Sequence, residues 1–187
     1  MADSTLKQIA KELSLSVSTV SRAINGKSVV NADTKKRVLE LAEKYEFVYA
    51  ACGVHPHEAE GCKQGYLPVL KKLCMEEKCI AVGEIGLDYH YDFSPREIQK
   101  TVFEQQLVLA KELDLPVIIH DREAHEDTMT FLKRYKPKGV VHCFSGSAEM
   151  AKEIIKLGMY IGLGGAVTFK NAVKPCEVAK FVPSDRL

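Results

Sequence analysis

From residue 47 onward the chain repeats one alternation that few folds can satisfy. Short apolar runs (FVYAACGV, CIAVGEIGLDY, PVIIHDRE, GVVHCFSG and MYIGLGGAV) are separated by amphipathic stretches such as EIQKTVFEQQLVLAKELDL and SAEMAKEIIKLG. A run that is apolar on both faces must be covered on both faces. Such runs alternating with helices argue for βαβ units around a parallel sheet, here of about five strands. In sheets of this kind, ligands and chemistry gather at the C-terminal ends of the strands.

That rule makes the polar residues near strand ends informative. Glu84 lies within CIAVGEIGLDY, where an ionised carboxylate is costly unless it is paired or bound to a metal. His120 ends PVIIH and His142 sits in VVHCF. One buried histidine is ordinarily a satisfied core residue. Three ligand-type residues at equivalent places on successive strands point instead to a metal. Asp88 and Tyr89 end the Glu84 strand and are expected to help build the pocket. GVHPHEAE adds His55 and His57, two residues apart. A regular strand would put both imidazoles on one side, but Pro56 between them breaks the extended geometry. His90 and His125 are expected to be solvated, and Cys143 to be a buried structural cysteine.

Residues 1–46 read differently. Of the 12 glycines only Gly26 lies in the first 52 residues, and no cysteine precedes Cys52. The shift predicts two segments joined between Glu46 and Ala51, a small all-α domain at 1–46 and an α/β domain at 47–187. LKQIAKEL places Leu6, Ile9, Ala10 and Leu13 on one helical face. VSTVSRAI follows, with Ser16 as its N-cap and Asn25-Gly26 as its stop. TKKRVLELAEKY turns Val38, Leu41, Ala42 and Tyr45 inward. Two short helices packed on a third fit a helix-turn-helix as well as a generic small bundle.

The bulk composition excludes little. The net charge of +1 gives no global argument for nucleic acid or membrane. No apolar run could span a bilayer or serve as a signal peptide. Six cysteines without C-x-x-C spacing are expected to be reduced thiols in a cytoplasmic protein.

Two resemblances sharpen this reading. TLKQIAKELSLSVSTVSRAINGKSVVNADTKKRVLELAEKY resembles the headpiece of LacI-type transcriptional repressors, most specifically in SVSTVSRAIN. The resemblance implies that Val17, Ser18 and Arg22 face bases in the major groove, with Arg22 the best candidate for guanine. It likewise implies that Thr5, Ser16, Ser21 and Asn25 touch phosphates, so that DNA is a partner. Residues 1–46 carry 8 Lys and Arg against 6 Asp and Glu. Without a hinge helix and a two-fold partner, such a headpiece is expected to bind DNA weakly and with strong salt dependence.

GVHPHEAE, VGEIGLDYHYD, FEQQLVLAKELDLPVIIHDREA, HCFSGSAEMAKEIIKLGMYIGLGGAVTFKNA and VPSDRL resemble the TatD family of metal-dependent deoxyribonucleases, which are (β/α)8 barrels. The match implies a two-metal phosphodiesterase site using zinc, magnesium or manganese. Glu84 matches the bridging carboxylate, and His120 and His142 match ligands of one ion. Arg122 is then a phosphate clamp or a surface salt bridge, His57 a substrate-pocket residue and His55 a loop residue without a role. The family's H-x-H on a first strand and its aspartate after a seventh have no counterpart in residues 47–187, so the catalytic residues stay unassigned. Those residues also fall short of the about 250 of a full barrel. A partial TIM-type barrel with open edges is expected, prone to pair with a second copy, binding one ion instead of two, with activity reduced or lost. The alternatives are a DNA-binding regulator with a non-catalytic C-terminal scaffold, or a chimera without a selected joint function.

Overall fold

A computed structural model describes residues 5–24, 30–45, 48–62 and 65–187. It divides into two compact units, Met1–Tyr49 and Ala50–Leu187.

Among the described residues the first unit holds three helices, α1 (Thr5–Glu12), α2 (Val17–Ile24) and α3 (Ala32–Lys44). Ser16 caps α2 as its sequence position requires. Its Oγ accepts the Thr19 N–H at 3.0 Å, which satisfies one of the free donors at the helix start. Asn31 does the same for α3, accepting from Thr34 N–H at 2.8 Å. Ile9, Ala10, Val20, Ala23, Val38, Leu41 and Ala42 are buried against one another, with Leu6, Leu13 and Tyr45 packed around them. These are the inward positions that helical spacing assigns. The Asn25-Gly26 stop lies outside the described residues.

The second unit is a five-stranded parallel sheet in the order β1-β2-β3-β4-β5. The strands are β1 (Ala50–Cys52), β2 (Cys79–Asp88), β3 (Val117–Arg122), β4 (Gly139–Val141) and β5 (Tyr160–Ile161). Five helices intervene or follow: α4 (Tyr66–Cys74), α5 (Arg96–Glu112), α6 (His125–Tyr135), α7 (Ala148–Lys156) and α8 (Val173–Phe181). Strand order equal to chain order is what successive crossover units produce. The core joins Val82, Ile85 and Leu87 of β2, Ile119 of β3, Val141 and Ile161 to Phe103 and Leu107 of α5 and Ile154 of α7.

The outer strands are shorter than the apolar runs that encode them. GVVHCFSG contributes only Gly139–Val141 to the sheet. The chain turns at once, with Cys143 at φ 45°. Cys143 is therefore exposed, not buried as its apolar neighbours suggest. All six cysteines are free thiols. Among the described residues no helix is long and apolar enough to cross a membrane.

Two features of β2 prepare the site. The register with β3 runs Gly83↔Ile118 and then Ile85↔Ile119, leaving Glu84 as the extra residue of a bulge. Bulges re-aim a side chain and occur next to functional sites. Gly86 stands opposite His120 with φ 145°. A Cβ there would lie 1.9 Å from the His120 carbonyl oxygen, so only glycine permits this approach.

Candidate metal centre

Pro56 decides where the two histidines of GVHPHEAE go. It opens a short 3-10 turn, Pro56–Glu58, for which His55 is the N-cap, its Nδ1 accepting the His57 N–H at 3.2 Å. The turn brings both imidazoles to one side without a strand, with ring centroids 4.4 Å apart. His120, projecting from β3, meets them, its ring 4.5 Å from that of His55. One ligand atom from each of His55, His57 and His120 lies within 4.8 Å of the others.

Two carboxylates complete the cluster. Asp88, at the end of β2, has a fully buried carboxyl. Its Oδ2 accepts from His57 Nε2 at 2.8 Å and from His120 Nε2 at 3.0 Å. Its Oδ1 accepts the backbone N–H groups of His90 and Tyr91 at 3.0 and 2.9 Å. Burial alone would raise the Asp88 carboxyl, but the bonds from Tyr91, His57 and His120 outweigh it and hold it at about 2. Glu84 Oε1 accepts from His120 Nδ1 at 2.9 Å. That bond holds Glu84 below the usual carboxylate range against its own burial, with the fields of His120, His142 and His55 adding.

His120 thus touches a carboxylate with each ring nitrogen. Burial works against its charge, but Glu84 and Asp88 together raise it. A cation bound through one of these nitrogens would leave the other on its carboxylate partner. His55 behaves oppositely: burial first, then the field of His120, lowers it to about 4. At neutral pH the cluster therefore contains a neutral imidazole and two ionised carboxylates. Metal ligands must be deprotonated, and ligating histidines are ordinarily backed by carboxylates. The donor set fits a divalent cation.

Two buried glutamines hold the loops that carry this set. Gln99 and Gln106 lie seven residues apart on α5, hence on one face. Gln99 accepts the Asp88 N–H at 2.8 Å and donates to the Asp88 carbonyl at 3.1 Å. Gln106 accepts the Val54 N–H at 2.6 Å and donates to the Val54 carbonyl at 3.1 Å. The only sequence signal for either is a polar residue on an apolar helical face.

Of the ligands expected from sequence, the fold brings Glu84 and His120 into contact. His142 follows the short β4 and is exposed, and it does not join the histidine cluster. His57, expected in a substrate pocket, and His55, expected to have no role, gather with His120. Arg122 is exposed, with its guanidinium 5.1 Å above the Tyr91 ring. His90 is exposed and His125 half-exposed; they meet Glu123 and Asp121, both at 2.8 Å, and neither joins the histidine cluster.

The family model described as TatD related DNase matches residues 3–187. The chain belongs to the TatD-related DNase family. The match begins inside the helical segment, and it shows no repressor headpiece fused to a hydrolase. The chain is 51% identical over 157 residues to the uncharacterized metal-dependent hydrolase YabD of Bacillus subtilis, covering 82% of this chain and 62% of that protein. It is 35% identical to a 3'-5' ssDNA/RNA exonuclease TatD of Erwinia tasmaniensis, over 84% of this chain and 62% of the relative. The crystal structure of the TatD homologue YjjV from Escherichia coli superposes with a TM-score of 0.74 at 41% identity, covering 83% of this chain and 62% of that one. This TatD-family chain thus spans about three fifths of the length of these relatives. Membership in a family of metal-dependent hydrolases does not favour reading the second unit as a non-catalytic scaffold.

Proposed function

We propose that the cluster of His55, His57, His120, Asp88 and Glu84 holds a divalent cation and that the chain acts as a hydrolase of phosphodiester bonds in nucleic acid. The observation that carries this reading is the convergence of His57 and His120 on one oxygen of the buried Asp88 carboxylate. A bound cation would supply an activated water and charge stabilisation at phosphate oxygens. Three imidazoles suit zinc, whereas the carboxylates suit magnesium or manganese. Exposed Arg122 offers a planar guanidinium to a phosphate. In this reading Glu84 and His120 are ligands, and His142 serves any second ion near Glu84. Hydrolysis of bis(p-nitrophenyl) phosphate by the purified chain should require added metal and stop on chelation. Turnover that survives chelation would refute the proposal.

A separate proposal concerns residues 1–46 as a LacI-type DNA-binding unit. It rests on the exposure of Val17, Ser18 and Arg22 along α2. Ser16 is already committed as the α2 cap, so its phosphate contact would be secondary. Ser21 is half-buried, Asn25 lies outside the described residues, and so does the side chain of Thr5. Arg22→Ala should weaken duplex binding by about 1–3 kcal/mol and relax sequence preference. Gel shifts unchanged by the substitution would remove this role.

A further inference from the structure

Two aromatic rings at the edge of the candidate metal centre are left largely open to solvent. Tyr91 and Phe93 are 48% and 63% exposed. Large apolar side chains left this open forgo the burial that normally fixes them. Yet they are ordered against each other, with centroids 5.3 Å apart and planes inclined by 16°. Both also meet the edge of His57, at 5.5 Å for Tyr91 and 4.9 Å for Phe93.

The segment that presents them is tied down on both sides. Tyr91 N–H donates to Oδ1 of Asp88 at 2.9 Å. Ser94, next to Phe93, is fully buried. Its hydroxyl donates to the His57 carbonyl at 3.1 Å, and its own carbonyl accepts from Gln99 at 2.8 Å. The rings are therefore exposed on a fixed support. The neighbouring acids are engaged: Asp92 pairs with Arg96 at 2.6 Å, and a Glu123 carboxylate oxygen meets His90 Nδ1 at 2.8 Å. Arg122 lies over Tyr91, and among the described residues it forms no ion pair.

We propose that Tyr91 and Phe93 form a stacking platform for an unpaired nucleobase of a single-stranded nucleic acid, with Arg122 holding the adjoining phosphate. The assignment rests on the phosphodiesterase reading of the neighbouring cluster and names the residues that would hold a base beside it. Every base has a π-face, so such a platform tolerates sequence. A base within a duplex has both faces covered by its neighbours, so the platform selects single strands. The stacked pair touching His57 places the base-binding surface directly beside the proposed metal.

The test is fluorescence anisotropy with the 187-residue chain in the presence of a chelator, so that binding is read without turnover. The probes are labelled oligo-dT of about ten nucleotides, an abasic strand of equal length and the matching duplex. Oligo-dT should bind more tightly than either comparison strand. Tyr91→Ala and Phe93→Ala should each weaken oligo-dT binding on the order of 10-fold and leave abasic binding unchanged. Phe93→Trp should retain it. The proposal is overturned if the double alanine variant binds oligo-dT as the unsubstituted chain does. It is equally overturned if abasic binding falls in parallel, or if the unsubstituted chain does not distinguish the strands. Failure of metal-dependent hydrolysis is a separate result, because no step of this assay requires it.

Discussion

Gly86→Ala is expected to destabilise the second unit by about 4 kcal/mol, far more than an added methyl group ordinarily costs. Two effects combine. The backbone at φ 145° is closed to L side chains, which costs on the order of 1–3 kcal/mol where it is enforced. The new Cβ would also stand 1.9 Å from the carbonyl oxygen of His120. Overpacking against backbone costs about 1–3 kcal/mol more, because no side chain can rotate away. Thermal denaturation should show a fall of about 10 °C for a chain of this size. Gly158 provides the comparison. It has φ 86° but nothing within 4 Å of its built Cβ, so Gly158→Ala should cost only about 1–2 kcal/mol. Equal losses for the two variants would show that the close approach of β2 and β3 is unimportant. Because Gly86 pairs with His120, any β2–β3 separation that relieves the clash also moves a proposed metal ligand.

The same pair explains what could be read from the sequence. The five strands were legible as short apolar runs between amphipathic stretches, and the long α5 as the longest of those stretches. Glu84 and His120 were legible because a carboxylate and an imidazole inside such runs are costly and so need a reason. The bulge that re-aims Glu84 was not, since a register shift depends on the partner strand. His55 and His57 were misleading in an instructive way. Proline does exclude the strand geometry that H-x-H suggests, but Pro56 nucleates a turn that joins the rings by another route. His142 follows β4, which stops at Val141; its charge reaches Glu84, but it is not one of the three histidines that gather. Helices α4, α6 and α8 left weaker traces. They are short, and α8 carries Pro175 in its first turn, where proline is tolerated but periodicity is hard to see.

Removing His120 should abolish metal retention whichever ligand set is correct, because it is shared by both. It contacts Glu84 through Nδ1 and Asp88 through Nε2. Loss of a carboxylate partner behind a ligand typically weakens metal affinity 10–100-fold, so loss of the ligand itself in His120→Ala should cost at least about 100-fold. The sets are separated by His57→Ala and His142→Ala. If the cluster His55, His57 and His120 carries the ion, His57→Ala should approach the His120→Ala loss while His142→Ala retains most of the metal. If Glu84, His120 and His142 carry it, the order reverses. His125→Ala is the control: its imidazole pairs with Asp121, not with Glu84 or Asp88. Metal content by mass spectrometry and competition with a chromogenic chelator would give the four affinities directly. Thermal denaturation of each variant separates lost ligation from lost folding, because His57 and His120 also hydrogen-bond the buried Asp88. An unchanged affinity in His120→Ala would refute both ligand sets, since each includes this residue.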